Sequence, residues 1–105
     1  MDKTVLRNFA IESRKDLMER IKNWLSQTEG AIVYTEINRR YLTDFSSSLG
    51  YLLICKEKAV LLVDGRYILA AKEQVKNCDV LLLDNVKEQI NQFFKSNCVK
   101  TVHIE

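Results

Sequence analysis

Two blocks of sequence decide the fold of this 105-residue chain: residues 38–50, which read NRRYLTDFSSSLG, and residues 63–71, which read VDGRYILAA. Between them lie two short apolar runs, residues 51–55 and 59–63, joined by the charged sequence KEK. This pattern predicts a β-hairpin with a solvated tip. After Gly65 the apolar residues change to helical spacing, so we expect the second strand of the hairpin to lead directly into a helix.

The flanking sequence alternates between helical and strand patterns. The predicted elements are a helix over about 13–28, a strand at 31–34, a loop with at most one helical turn at 36–48, the hairpin at 51–63, a helix from 67 to 75, a strand at 80–83, a helix at 86–96 and a strand at 100–104. Strands that alternate with helices are typical of parallel pairs joined by crossovers. The apolar run VLLL at 80–83 predicts a strand buried on both faces. We therefore predict an α/β fold with a mixed sheet of about five strands and helices on both faces.

The two blocks together resemble the N-terminal domain of the creatinase, prolidase and aminopeptidase P family. In that family a segment of the form N-x-R-Y-L-T-G-F-x-G-S precedes a pair of strands, and the second strand ends in D-G-R-Y and opens a helix. Both blocks occur here in the same order, and the resemblance covers most of residues 13–104. One departure is Asp44, which stands where the family more often has glycine. The resemblance implies that residues 1–105 form one such domain, with a ribonuclease H-like topology.

The resemblance also implies that catalysis takes place in another part of the protein. In the family a C-terminal domain of the pita-bread type holds two divalent metal ions, such as manganese, cobalt or zinc, through two Asp, one His and two Glu. This chain contains a single histidine, His103. We therefore expect the C-terminal domain to be absent, and we expect no catalytic residue, metal ligand or cofactor within the chain.

The implied role is that of an accessory domain in a Xaa-Pro aminopeptidase or Xaa-Pro dipeptidase. Such a domain would shape the substrate cleft and mediate oligomerisation. Its partners would be the C-terminal catalytic domain of the same protein, further copies in a homo-oligomer such as a dimer, and a peptide substrate with proline at the second position. Aminopeptidase, dipeptidase and creatinase-like specificity cannot be distinguished from this half of the protein.

Four residues are candidates for substrate or interface contacts by resemblance: Arg40, Phe45, Arg66 and Tyr67. Arg40 occupies the arginine of the R-Y-L-T motif, and a guanidinium can bind a peptide carboxylate or carbonyl through two hydrogen bonds. The alternatives are that Arg39 and Arg40 are solvated, that Phe45 belongs to the core, and that Arg66 pairs with a carboxylate in a capped turn.

Composition excludes several classes of function. The formal charge of +2 is too small to indicate nucleic-acid binding, which needs clustered Lys and Arg. No apolar run approaches the ~20 residues of a membrane span, and the first ten residues lack the apolar stretch of a secretory signal. We therefore expect a cytoplasmic protein without a membrane contact. The odd set Cys55, Cys78 and Cys98 has no Cys-x-x-Cys spacing, so we expect buried, reduced thiols.

Two other functions stay open. The same fold could serve as a stand-alone protein-interaction module. Separately, a chain ending at residue 105 resembles an isolated or truncated domain, for which we expect an uncovered sheet edge and an apolar patch. A nuclease-like domain would need several converging acids, whereas only Asp64 and Asp84 fall at strand ends. We expect His103 to be structural or exposed. The aromatic residues expected in the core are Trp24, Phe93 and Phe94.

Overall fold

The computed structural model describes residues 14–105, with side chains from Leu17 onward. The elements in chain order are α1 Arg14–Trp24, β1 Glu29–Val33, α2 Glu36–Thr43, β2 Gly50–Cys55, β3 Ala59–Val63, α3 Ile68–Gln74, β4 Asp79–Leu82, α4 Val86–Ser96 and β5 Thr101–Ile104. The predicted start of the first helix, Ser13, lies outside the described residues, and this helix ends earlier than predicted. Within residues 14–105 no helix is long and apolar enough to cross a bilayer.

The five strands form one mixed sheet in the order β4-β3-β2-β1-β5. The hairpin strand β2 pairs antiparallel with both β1 and β3, whereas β4 and β5 pair parallel with β3 and β1 respectively. The parallel strands β3 and β4 are joined through α3, because parallel strands cannot be joined by a tight turn, and α4 leads from β4 to β5. The predicted mixed five-stranded sheet is confirmed.

Helices pack against both faces of the sheet, as predicted. On one face, alternate strand residues such as Ala31, Leu52 and Leu61 join the apolar side chains of α1 and α3 in the larger hydrophobic cluster. On the other face, Leu53 and Leu62 pack against α4. The period-two alternation of the strands divides the apolar side chains between the two layers.

The segment 36–48 differs from the prediction, because it contains a two-turn helix rather than a loop. Its inward side chains are Arg39, Leu42 and Thr43, whereas Ile37 and Tyr41 are exposed. An arginine on the buried face and apolar residues on the solvent face conceal the usual amphipathic pattern. The helix is therefore hard to recognise from hydrophobicity alone.

Strand β4 also differs from the prediction. Leu81 and Leu82 are 51% and 50% exposed, so the strand is not buried on both faces. Within the described part of the chain β4 pairs only with β3 and lies at the edge of the sheet.

Trp24 and Cys98 are not in the core, contrary to prediction. Trp24 is 48% exposed, and its ring lies against that of His103 with 5.1 Å between centroids. Cys98 is exposed in the turn that ends α4, where it adopts φ 58°. The Val99 N–H donates to the Phe94 carbonyl at 2.9 Å, which closes the helix in a Schellman-type turn.

The remaining predictions for the aromatic residues and thiols agree with the structure. Phe94 is buried and Phe93 packs beside it. Cys55 is buried and Cys78 is partly buried, and all three cysteines are free thiols. Burial raises the pKa of the Cys78 thiol to about 12, so this group stays protonated at neutral pH.

Candidate functional site

The two blocks that decide the fold meet in space where the hairpin leads into α3. The rings of Phe45 and Tyr67 pack edge to face with 6.3 Å between centroids. The hydroxyl of Ser48 lies 3.3 Å from the Tyr67 hydroxyl and accepts a hydrogen bond from Arg66 Nη2 at 3.4 Å. We call Phe45, Ser48, Asp64, Arg66 and Tyr67 the junction site. Three of the four candidate residues, Phe45, Arg66 and Tyr67, are thus brought together.

Arg66 is held in place by its own turn. Its Nη2 donates to Asp64 Oδ2 at 2.8 Å, its Nε to Oδ1 at 3.3 Å, and its backbone N–H to Oδ1 at 3.0 Å. Hydrogen bonds from Arg66 lower the pKa of the Asp64 carboxyl, and the carboxylate raises the pKa of the guanidinium. The side chain of Arg66 is 68% exposed, with its guanidinium carbon 5.2 Å from the Tyr67 ring centroid. The paired, capped turn that was the alternative is therefore present, and it presents a pre-oriented cation to solvent.

Arg40, the fourth candidate, does not join this group. It is exposed on α2, beside the exposed apolar residues Ile37 and Tyr41. Within residues 14–105 no hydrogen bond or ion pair links its side chain to Phe45, Arg66 or Tyr67. Arg40 therefore belongs to the outer surface of α2, where apolar and aromatic residues flank it.

The neighbouring Arg39 is the residue that sequence reasoning underestimated. It is only 2% exposed and donates to the Tyr34 carbonyl at 3.1 Å, the Ser47 hydroxyl at 2.8 Å and the Ser48 carbonyl at 3.5 Å. Burial lowers the pKa of its guanidinium, because desolvation penalises the charged form. Since Ser48 also contacts Arg66 and Tyr67, the hydrogen bond from Arg39 to the Ser48 carbonyl connects Arg39 to the junction site.

A signal for this buried arginine was present in the sequence. Arg39 lies three residues before Leu42, so on a helix both side chains share one face. Gly50 is a second signal, since a Cβ there would lie 2.5 Å from Arg39 Nη1 and 2.9 Å from the Leu62 carbonyl oxygen. The absence of a side chain at position 50 makes room for the guanidinium.

Asp44 closes α2 in the left-handed conformation, with φ 59° and ψ 30°. Its N–H donates to the Arg40 carbonyl at 2.8 Å. The left-handed region costs little for glycine and more for other residues, although Asp and Asn tolerate it best. The backbone geometry explains why glycine suits this position and why aspartate can replace it.

His103 makes a contact at the opposite side of the sheet from β4. Its Nε2 lies 2.9 Å from Glu29 Oε2, and both side chains are partly exposed. The backbone N–H of Ser26 and, secondarily, His103 lower the pKa of Glu29 to about 2. The prediction of a structural histidine agrees with this ion-pair geometry.

The described residues do not fit a metal centre. No group of three or more His, Cys, Asp or Glu side chains within residues 14–105 is placed to hold an ion. Of the two strand-end acids considered for a nuclease, Asp64 is engaged by Arg66, and the backbone of Asp84 is bound by Gln89.

Comparison with known proteins yields a consistent set of relatives. A family model described as the creatinase/prolidase N-terminal domain matches residues 12–105. A protein of Mycoplasma genitalium named as a Xaa-Pro aminopeptidase is 33% identical over 91 residues, which is 87% of this chain and 24% of that protein. The chain thus spans about a quarter of the length of this relative.

Two of the solved structures that resemble this chain are also peptidases or peptidase domains by name. An aminopeptidase P from Streptococcus thermophilus superposes with a TM-score of 0.75 at 26% identity, covering 87% of this chain and 71% of that chain. The N-terminal domain of the cytoplasmic peptidase PepQ from Mycobacterium tuberculosis gives a TM-score of 0.70 at 29% identity, covering 88% and 72%.

Proposed function

Because the chain belongs to the creatinase/prolidase N-terminal domain family, we propose that it is the non-catalytic accessory domain of a cytoplasmic Xaa-Pro peptidase. In this role the domain forms one wall of the substrate cleft, contacts the C-terminal catalytic domain and contributes to a homo-oligomer. The parent enzyme is either an aminopeptidase or a dipeptidase that acts on peptides with proline at the second position. Three free cysteines support a reducing compartment.

The junction site is the observation that carries this proposal. Its exposed guanidinium, Arg66, is already paired and oriented by Asp64, so little conformational freedom would be lost when it contacts a peptide. Tyr67 and Phe45 provide an aromatic base beneath it. A fixed cation with aromatic support suits a carbonyl or carboxylate of a bound peptide.

The outer surface of α2 supplies the proposed contact with the catalytic domain or a second subunit. Ile37 and Tyr41 are 58% and 39% exposed on either side of Arg40. Tyrosine and arginine are enriched among the residues that dominate protein interfaces. The composition of this helix face therefore supports an interface role for Arg40, and the junction site supports a role for Arg66 at the cleft.

Two divalent metal ions would be held by the catalytic domain of the parent protein. The residues described here supply no ligand cluster for them. No step of this proposal passes through a metal ion in this chain, whose contribution is to position the substrate and the neighbouring domain.

The proposal is tested in the full-length peptidase encoded by the gene. Arg66→Ala should raise KM for Xaa-Pro peptides while kcat falls less, because the residue binds substrate and does not take part in the chemistry. Lys58→Ala, at the exposed hairpin tip, is the matched control and should leave both constants unchanged. Wild-type constants in the Arg66→Ala enzyme would contradict the cleft role.

The 105-residue chain provides a second test. It should show no hydrolysis of Xaa-Pro peptides with added manganese, cobalt or zinc. Activity that co-purifies with the chain through several steps would overturn the accessory role.

A stand-alone interaction module is the second candidate, and the exposed leucines favour it. Leu69 on α3 is 82% exposed, and Leu81 and Leu82 on the edge strand β4 are about half exposed. Apolar side chains at an open sheet edge are typical of protein contacts. A module would self-associate in sedimentation velocity experiments, and Leu82→Glu would dissociate it. Because an accessory domain can also contribute to a homo-oligomer, the downstream sequence of the gene decides between the two candidates. An in-frame catalytic domain with the five metal ligands would favour the accessory domain.

A further inference from the structure

The carboxylate of Glu105 lies at the N-terminus of α2 and is fully engaged there. Its Oε1 accepts hydrogen bonds from the backbone N–H groups of Tyr34 at 2.8 Å and Thr35 at 2.9 Å. Its Oε2 accepts from the Thr35 hydroxyl and from the Asn38 side-chain amide. We call the donors of Tyr34, Thr35 and Asn38 the cradle. Four donors converge on one carboxylate, which is a complete recognition set for such a group.

The cradle replaces an ordinary helix cap. Thr35 is the N-cap residue of α2, yet its side chain accepts no hydrogen bond from the first turn and donates to Glu105 instead. Helix α4 shows the usual arrangement, in which the Asn85 side chain accepts from the Glu88 N–H at 3.2 Å. The first turn of α2 is thus stabilised by an anion 70 positions away in sequence, as the positive end of a helix favours.

The cradle is connected to the junction site through Arg39, which contacts Tyr34 of the cradle and Ser48 of the junction site. Tyr34 donates its N–H to Glu105, and its carbonyl accepts from Arg39 Nε at 3.1 Å. Arg39 in turn holds the hydroxyl of Ser47 and the carbonyl of Ser48. Because Glu105 is itself anchored by its N–H to the Ile32 carbonyl at 3.2 Å, the cradle joins the end of β5 to α2.

We propose that Glu105 is a positioning residue whose carboxylate holds the start of α2. Through Tyr34 and Arg39 it thereby also holds Ser47 and Ser48 beside the junction site. The cradle is a carboxylate-binding site that the chain fills with its own side chain, and a small free carboxylate can occupy it when that side chain is removed. The proposal does not depend on the accessory-domain role, since its test measures the order of α2 and not hydrolysis.

The test is hydrogen exchange in the 105-residue chain, resolved to single amides by NMR. Glu105→Ala should speed exchange at Tyr34, Thr35 and the α2 amides by roughly tenfold or more, since hydrogen bonds to a charged acceptor are lost. Amides of the β2–β3 hairpin should be unchanged. Sodium acetate should restore the protection of α2 in Glu105→Ala, whereas sodium chloride at equal ionic strength should not.

Two further variants make the outcome decisive. Asn85→Ala removes the local cap of α4 and should leave α2 exchange unchanged, which shows that the effect is specific to the cradle. Glu105→Gln retains shape and one acceptor, so its exchange rates should lie between those of the wild type and Glu105→Ala even if the alanine variant folds poorly. Unchanged α2 exchange in both Glu105 variants would overturn the proposal, as would equal loss of protection throughout the sheet. Equal effects of acetate and chloride would overturn the carboxylate site.

Discussion

Replacement of the buried Arg39 by methionine tests the main structural claim about the junction site. The guanidinium is almost fully buried, and within residues 14–105 its donors go to two carbonyls and one hydroxyl rather than to a paired carboxylate. Methionine approximates the length of the arginine stem, so Arg39→Met removes the charge and the hydrogen bonds while leaving little cavity.

The expected loss of folding free energy follows from the hydrogen-bonding groups that Arg39→Met leaves without a partner. The Ser47 hydroxyl and the Tyr34 carbonyl lose good hydrogen bonds of 2.8 and 3.1 Å, and the Ser48 carbonyl loses a marginal one of 3.5 Å. Each unsatisfied buried group costs about 1–3 kcal/mol. Removing a desolvated cation offsets part of this cost. We expect Arg39→Met to lower the free energy of unfolding by about 2–4 kcal/mol, a large share of the roughly 5–15 kcal/mol typical of a domain.

Urea denaturation followed by circular dichroism measures this loss, and a double-mutant cycle assigns it. Ser47→Ala should be less damaging in the Arg39→Met background than in the wild type, because the hydroxyl that it removes is then already unpaired. The coupling should be about 1–2 kcal/mol. Arg40→Met is the matched control on the exposed face and should change stability by less than about 0.5 kcal/mol.

A second comparison tests the packing of Arg39 against Gly50. Gly50→Ala should destabilise the wild type strongly, since its Cβ would meet both Arg39 Nη1 and the Leu62 carbonyl oxygen. Arg39→Met should relieve only the first of these contacts.

Equal stabilities of Arg39→Met and Arg40→Met would refute the claim that the buried arginine organises this region.

Three further outcomes follow from the structure. Asp44→Gly should be more stable than Asp44→Ala by about 1 kcal/mol in thermal or urea unfolding, because both lose the carboxylate but only alanine strains the left-handed backbone; equal stabilities would exclude that strain. Because the folded-state pKa of Glu29 is lowered from 4.5 to about 2 by Ser26 and His103, its stabilisation is present above pH 4.5 and lost as the pH falls towards 2. The difference in urea midpoint between wild type and Glu29→Gln should therefore shrink over that range, and a difference that does not vary with pH would contradict the shift. A thiol reagent should modify the exposed Cys98 quickly and the partly buried Cys78, whose pKa is raised, slowly. Cys98→Ser should abolish the fast phase, and a fast phase that persists in this variant would show that another thiol is accessible.

Much of the fold could be predicted because the strands and most helices follow simple periodicities. The hairpin, α3 and α4 lie close to their predicted positions, and the inward residues Ala71, Val75 and Phe94 are buried as the helical spacing indicated. The predictions failed where the position of an element in the fold, and not its apolar pattern, decides the burial of its side chains. Leu81 and Leu82 are exposed since β4 became an edge strand, which no feature of a four-residue apolar run can reveal.

The sequence named four candidate residues, and their role in substrate or interface contacts stays a prediction. Phe45, Arg66 and Tyr67 come together because the two sequence blocks are joined by one hairpin, so their proximity follows from order along the chain. The burial of Arg39 and the exposure of Arg40 were harder to predict from the sequence. Two adjacent arginines are chemically alike, so their types do not show which one is buried. The helix that places Arg39 inward and Arg40 outward was not predicted, because it has a charged residue on its buried face.

The amino-acid sequence alone determined the family and the mixed α/β architecture, because these depend on local periodicity and on motifs close along the chain. Only the tertiary structure decided which arginine is buried, which strand lies at the edge, and that Glu105 binds the N-cap residue of a helix, Thr35, 70 positions earlier. The physical reason is that burial and long-range hydrogen bonds depend on which elements become neighbours. A carboxylate near the end of the chain carries no local sign of the N–H groups that it will meet.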